Sequence, residues 1–395
     1  MAARLVYTIA TSAFGAARNR MDNSSPTISV LIPVWHAVRF LPAALDSILA
    51  QTFADFEVIA IDDGTRDGSA EVLAAFAASD RRVRVVRQEN RGIVASLNRA
   101  LELARAPFVA RMDHDDVSRP DRFAKQIAYL RRHAEVAAVS GAMDVIDQDG
   151  TYLRTEEFPA LPAAVGSELL YRNCVCHPAV MARTEALRKV GGYRKNAQFA
   201  EDYDLWLRVS EVGQMANLPD VLLSYRLHPV RMSTQHYIAQ ELAVLAARGA
   251  ARQRRHGNPD PLASPDPGFP LGYRAVQRMF EGAIPRAEFA FSFFQSVLGK
   301  TAELGSTREW ARLYLRYGLG DLDGYGAAMM LMLLGHIMRK RRRAGARLRD
   351  LIPYPFWAMV TAARHPVAAL GVAFRLRHWL RLARTGLLQA TASTT

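Results

Sequence analysis

Residues 108–116 read Phe-Val-Ala-Arg-Met-Asp-His-Asp-Asp, a short apolar run that breaks into three carboxylates within four residues. A run of this length bounded by polar residues fits a buried strand. The pattern has an upstream counterpart: Phe56–Ile61 is Phe-Glu-Val-Ile-Ala-Ile and ends in Asp62-Asp63-Gly64-Thr65. Residues 27–34, Thr-Ile-Ser-Val-Leu-Ile-Pro-Val, form a third apolar, β-rich run, and Val83–Arg87 a shorter fourth. Between them, Phe40–Ala50, Ser69–Ala78 and Ile93–Ala104 carry apolar residues at helical spacing. Strand and helix alternate, which predicts an α/β fold with a parallel sheet covered by helices. Ligands of such sheets bind at the carboxyl ends of the strands. Both acidic clusters stand at strand ends and should face one cleft.

Downstream of residue 150 the pattern loosens. Val175–Met181 and Val221–Tyr225 read as further strands and Ala200–Val212 as a helix. A stretch rich in proline and glycine, Gly257–Gly272, marks a boundary, and beyond it the sequence is helical in pattern and rich in Arg, Leu, Ala and Met. Charge divides the same way. Residues 1–239 hold 28 basic and 28 acidic side chains, whereas 240–395 hold 23 and 10, so the net charge of +13 belongs to the C-terminal part. Such a region seeks an anionic partner. A chain of 395 residues, 50% hydrophobic and 23% charged, has a folding composition and room for two or three domains. Two cysteines exclude a disulfide scaffold. No stretch reads as a secretory signal. Neither Ala327–Met338 nor the proline-broken Leu351–Phe374 offers the roughly 20 uninterrupted apolar residues of a membrane span.

The residues that carry chemistry each have a plain alternative. Three carboxylates at 113, 115 and 116 repel one another unless a cation sits among them. Hard oxygen ligands suit Mg²⁺ or Mn²⁺. The alternative is an acidic turn in which Asp116 or Ser118 caps the next helix. Asp62 or Asp63 can bind a ribose hydroxyl or a base N–H, or simply build a turn with Gly64. Glu201-Asp202, just before an amphipathic helix, can supply a general base, or can cap that helix favourably. His228 follows a strand, where a lone histidine is most often structural. Cys174 and Cys176 would share a strand face and, with His177, suggest zinc, but a fourth ligand at the usual spacing is missing, so ordinary packing is expected. Gly299-Lys300-Thr301 lacks the earlier glycine of a phosphate loop, and no Gly-x-Gly-x-x-Gly follows a strand.

Taken in order, these motifs resemble a family-2 glycosyltransferase of GT-A fold. The carriers are Ile28–Pro33, Leu45–Thr52, Asp62-Asp-Gly-Thr65, Asn90-Arg-Gly92 with Asn98, Ala110–Asp116, His177-Pro178, Gly191-Gly-Tyr193, Glu201–Trp206 and Tyr225-Arg-Leu-His228, spread over about residues 27–233. The resemblance implies a Rossmann-like, mostly parallel sheet flanked by helices, followed here by a mainly α-helical C-terminal region. It implies a catalytic domain over 27–239; around it, composition and charge read as an N-terminal extension over 1–26, a linker over 240–272 and a basic helical region over 273–395.

The resemblance also implies an inverting transfer from a nucleotide-diphosphate sugar, with Mn²⁺ or Mg²⁺. Asp62 or Asp63 would bind the nucleoside, with Pro33 lining its pocket. Asp113 and Asp115 would hold the metal, with His228 near it or the diphosphate, and Arg111 and Asp116 would support the diphosphate site. Asp202 would be the catalytic base with Glu201 beside it, and Gly191 and Gly192 would let backbone approach the sugar. His114 stands where the family usually has a small residue. The acceptor would be a lipid-linked or growing saccharide in cell-surface polysaccharide synthesis. The enzyme would work in the cytoplasm, with Arg339-Lys-Arg-Arg-Arg343 beside the apolar 327–338 stretch touching an anionic membrane face. No nucleic-acid motif accompanies the basic residues. Two other enzyme classes compete for the Asp113/Asp115 cluster. A haloacid-dehalogenase-like phosphatase would need that motif on its first strand. A nucleotidyltransferase would need a glycine-rich loop where Pro33-Val-Trp-His36 stands.

Overall fold

The computed structural model describes residues 25–228, 237–263 and 276–278. Its first half is the expected alternation. Strand β1 (Ile28–Val34) is buried along its whole length. Helix α1 (Leu41–Leu49) begins with Pro42 in its first turn, where no intrahelical N–H is lost, and buries Leu41, Ala44, Leu45 and Ile48 at helical spacing. Strand β2 (Phe56–Asp62), helix α2 (Ser69–Ser79), strand β3 (Val83–Arg87), helix α3 (Ile93–Leu103) and strand β4 (Phe108–Arg111) follow. These strands pair in the order β3-β2-β1-β4, all parallel. Val34 lies opposite Asp62 and Leu31 opposite Arg111, so the carboxyl ends of β1, β2 and β4 lie on one side of the sheet.

The second half departs from alternation. Strand β5 (Val117–Ser118), helix α4 (Arg122–Arg132), the long strand β6 (Val136–Ile146), strand β7 (Tyr152–Glu156), helix α5 (Pro162–Glu168), strand β8 (Met181–Arg183), helix α6 (Thr184–Lys189), helix α7 (Glu201–Val209) and strand β9 (Gln214–Arg226) complete the sheet and its cover. β8 runs antiparallel between β4 and β6, β6 and β9 are parallel, and β9 pairs antiparallel with β5. Parallel registers still dominate the sheet. At Gly141, a Cβ would come 2.7 Å from Leu222, so glycine lets β9 close against β6.

The sheet separates two cores. Ile28, Val30, Ile32 and Val34 face α1, α2 and α4, while Leu31, Ile59 and Ile61 face α3 and α7, as strand alternation requires. Cys174 and Cys176 fall in opposite cores, so the expected shared face is corrected. The reason is that Val175–Met181 is not one strand. Pro178 cannot donate to a ladder, and His177–Ala179 is a tight helical turn closed by Ala179 N–H to Cys176 O (3.0 Å) and Val180 N–H to His177 O (3.1 Å).

The expected linker over 240–272 is corrected at its start. Helix α8 (Tyr237–Arg255) occupies residues 240–255 and buries Leu242, Ala243, Ala246, Ala247, Ala250 and Ala251. Arg254 binds Glu211 at 2.8 Å and Asp260 at 2.9 Å, and Asp260 also takes Arg194 at 2.6 Å. α8 is therefore built into the same body as α7. Among the described residues no helix is long and apolar enough to cross a membrane. The expected extension before residue 25 and the basic stretch at 339–343 lie outside the described residues.

Candidate active site

β4 ends at Arg111, Met112 continues its line, and the chain turns through Asp113-His114-Asp115-Asp116 into β5. Carboxylate oxygens of Asp113, Asp115 and Asp116 all lie within 4.8 Å of one another. Each is held differently. Asp113 forms an ion pair with the buried Arg111. Asp115 accepts a hydrogen bond from His228 Nε2 at 2.9 Å. Asp116 is buried and accepts the Arg226 backbone N–H at 2.8 Å, and its Oδ2 has no hydrogen-bond partner among the described residues.

The β5–β9 pairing, Val117 opposite Ser224, delivers Arg226 and His228 over the acidic loop from more than a hundred residues away. Arg226 Nε also donates to Asp115 O at 2.9 Å, and its guanidinium lies over the Phe40 ring. Below the loop, the fully buried Arg122 donates to Arg111 O at 2.7 Å and to Val180 O at 3.2 Å. Sequence reasoning gave Arg122 and Arg226 no role. Their signal was weak, since an arginine near a strand or helix end is normally exposed.

The electrostatics follow from this packing. Burial pushes the Asp116 carboxyl well above its ordinary range, and the neighbouring Asp115 and Asp113 push it further. Burial also acts to raise Asp115, but His114 and the hydrogen bond from His228 outweigh it and hold Asp115 low. Burial opposes the Arg111 charge, yet Asp113 first, then Tyr193 and Asp116, raise its pKa overall. A half-buried group of hard oxygens, one of them buried and unpartnered, fits a divalent cation better than an acidic turn. His114, the unusual residue of the loop, donates from Nδ1 to Pro33 O at 3.2 Å and so ties the loop to the end of β1.

Asp62 and Asp63 are both buried. Asp62 Oδ1 accepts the Thr65 N–H (2.9 Å) and hydroxyl (2.8 Å), and its Oδ2 lies 3.5 Å from Arg87. Asp63 accepts Gln88 Nε2 at 2.7 Å and the N–H groups of Arg91 and Gly92, each at 2.9 Å. These carboxylates shape the loops at the ends of β2 and β3.

On the other side of Arg111, α7 opens with Glu201 and Asp202. Glu201 is buried, and its Oε2 lacks a hydrogen-bond partner among the described residues. Burial, then the charge of Asp202, pushes its pKa up to about 7. Asp202 is half-buried and also raised, chiefly by burial, with the Tyr203 N–H, Arg111 and Asn173 pulling the other way. Asn173 Nδ2 donates to Asp202 Oδ2 at 3.0 Å, a contact that sequence reading missed because 29 residues separate the pair. Arg111 thus acts on Asp113 and Asp116 on one side and on Glu201 and Asp202 on the other.

Gly191 and Gly192 both have positive φ, 82° and 66°. A Cβ on Gly192 would come 2.6 Å from Asn98 Oδ1, whereas one on Gly191 would meet nothing within 4 Å. Asn98 brackets this loop, accepting the Tyr193 N–H and donating to Tyr193 O, both at 2.8 Å. The space at Gly192 therefore serves the seating of the loop on α3.

A family model described as Glycosyl transferase family 2 matches residues 29–191. The O-antigen biosynthesis glycosyltransferase WbnJ of Escherichia coli is 33% identical over 205 residues, 51% of this chain and 80% of the relative. The amylovoran biosynthesis glycosyltransferase AmsE of Erwinia amylovora is 31% identical over 232 residues, 57% of this chain and 86% of its own. The chain belongs to glycosyltransferase family 2. The fold is shared with S. aureus TarS 1–349 in complex with UDP, at a TM-score of 0.53 and 17% identity over 89% of this chain and 91% of TarS. TarS 1–349 in complex with UDP-GlcNAc gives the same TM-score at 15% identity, covering 86% and 91%. As a family-2 chain it is a glycosyltransferase, and the phosphatase and nucleotidyltransferase readings of the acidic cluster are not favoured.

Proposed function

We propose that this glycosyltransferase moves a sugar from a nucleotide-diphosphate donor to a saccharide hydroxyl, with inversion, in cell-surface polysaccharide synthesis. The observation that carries the reading is the pairing of two acidic centres, Asp113/Asp115/Asp116 and Glu201/Asp202, across one buried arginine, Arg111. Nucleotides in the TarS complexes support a nucleotide-sugar donor, and the names of the relatives, O-antigen and amylovoran biosynthesis glycosyltransferases, support a part in polysaccharide synthesis. In this reading Asp113 and Asp115, with His228 beside them, hold Mn²⁺ or Mg²⁺. When bound, such an ion supplies Lewis acidity toward the departing diphosphate.

The remaining chemistry belongs to side chains. Asp202 takes the proton of the acceptor hydroxyl. The freed oxygen attacks the anomeric carbon from the face opposite the leaving group, the bond to the diphosphate breaks, and the configuration inverts. The diphosphate leaves with the bonding electrons, and Arg111, with Asp116 beneath, sets the electrostatics of the floor on which that charge grows. Asp62, Asp63 and Pro33 shape the nucleoside end, and Gly191 and Gly192 the sugar end. We assign the reaction to the cytoplasm, with the basic 273–395 region as a peripheral contact to the inner membrane face.

The test is thermal stabilisation by a panel of nucleoside diphosphates with Mn²⁺, Mg²⁺ or EDTA. A ligand of the folded state raises stability according to its concentration over its Kd. A shift that needs both one nucleotide and the metal, and that vanishes in Asp115→Ala, supports the reading. No shift with any nucleotide counts against it.

A further inference from the structure

The loop between α5 and the turn at His177 is held from three directions, and one side chain on it touches the proposed base. Tyr203 Oη donates to Leu169 O at 2.6 Å, Arg248 Nε on α8 to Leu170 O at 3.2 Å, and Asn217 Nδ2 on β9 to Cys174 O at 3.1 Å. Within this frame Asn173 has a defined orientation. Its Oδ1 accepts the Val175 N–H at 3.2 Å, so its Nδ2 is the atom that meets Asp202 Oδ2 at 3.0 Å. The assignment is forced by chemistry, because an N–H cannot accept and a carboxylate cannot donate. The other oxygen of Asp202 accepts the Tyr203 N–H at 2.7 Å.

We infer that Asn173 is the positioning residue of the catalytic base: it clamps one oxygen of Asp202, keeps the carboxylate ionised in a half-buried place, and leaves its remaining lone pairs for the acceptor proton. The inference rests on the reading of Asp202 as the base. Among the described residues, the groups facing Asp202 are few. Glu201 and Tyr203 come from its own helix, Arg111 from the end of β4, Tyr193 from the preceding loop and Asn173 from the loop described here. Of these, Arg111, the Tyr203 N–H and Asn173 favour the charged form against burial. Arg111 is shared with the metal-side carboxylates and the Tyr203 N–H is backbone, so Asn173 is the neutral side chain dedicated to this oxygen. The Arg248 contact gives α8 a part in the same arrangement, since it fixes the loop that carries Asn173.

The probe is hydrolysis, without acceptor, of the nucleotide sugar whose nucleotide stabilises the full-length protein in the panel above. Asn173→Ala should lower kcat about 10–100-fold, as expected for a hydrogen bond to a charged group. Donor KM and the metal-dependent thermal shift should stay as in wild type. The acid limb of the kcat–pH profile should move to higher pH, because the charged form has lost a donor. Asn173→Asp should fall further, and Asn173→Gln should recover part of the loss. Adding Asn173→Ala to Asp202→Asn should cost nothing more. Wild-type kcat and pH profile in Asn173→Ala, with Asp202→Asn inactive, would overturn the positioning role alone. Near wild-type turnover in Asp202→Asn would instead remove the base reading beneath it. A loss in Asn173→Ala matched by a lower Tm and a lost nucleotide shift would show a merely structural residue and also overturn the inference.

Discussion

The two halves of the sheet build their parts of the site by different means. In β1–β4 every strand is parallel, and each acidic group stands where its own strand stops: Asp62 and Asp63 after β2, Asp113 to Asp116 after β4. In β5–β9 most neighbours are antiparallel, and the groups proposed for function come from a helix start, a strand end and a loop: Asp202, His228 and Asn173. The first arrangement needs only local strand and turn chemistry. The second needs tertiary contacts to bring each group into place, so its geometry should be easier to disturb without unfolding the protein.

The sharpest test of that contrast is Asp202→Asn. Loss of a general base should lower transfer about 10²–10⁴-fold with Tm unchanged. A drop of less than a few-fold, measured with the donor picked out by the thermal panel, would return the base to another group.

Glu201 gives a test through pH. Its folded pKa of about 7 lies above the ordinary 4.5, so the folded state binds more protons between those values. Its contribution is fully present below about pH 4.5 and is lost as pH rises through about 7. Glu201→Gln does not titrate. Its stability relative to wild type should therefore grow between pH 4.5 and 8, by at most about 3 kcal/mol. Denaturant melts at the two pH values, giving the same difference at both, would refute the raised pKa.

His228→Ala removes the partner that orients Asp115. Metal affinity should weaken about 10–100-fold, read by titrating Mn²⁺ against the nucleotide-dependent thermal shift. Unchanged affinity would detach the second half from the proposed metal site.

The smallest effect separates the two glycines. Both substitutions to alanine force a side chain into positive φ, at about 1–2 kcal/mol. Only Gly192→Ala also meets Asn98 at 2.6 Å, so it should melt at a lower temperature than Gly191→Ala. Equal melting temperatures would show that Asn98 moves aside freely.

The legibility of the molecule follows the same division. The elements from Ile28 to Arg111 were readable because each is a local pattern: a β-branched run, a helical stripe, an Asp-Gly turn. The candidate acidic residues were readable for the same reason, since clustered carboxylates at a strand end are conspicuous in one dimension. The stretch 175–181 was misread because its apolar character outweighed the single proline that breaks it. Residues 240–255 were assigned to a linker because the charge shift there drew the boundary too early, whereas the Ala-rich face of α8 completes the core over α7. Arg122 and Asn173 were invisible because neither residue type is unusual at its position. Their meaning lies in which carbonyl or carboxylate they reach.

By itself, the sequence determined the alternating α/β half, the two acidic centres and their order along the chain, because short-range periodicity and turn chemistry are properties of neighbouring residues. Only the tertiary structure decided that His228 meets Asp115, that Asn173 meets Asp202 and that Arg111 stands buried between the two centres. Hydrogen bonds and desolvation act through space, and residues 113 and 29 positions apart become partners only when sheet pairing and core packing set the distances between them.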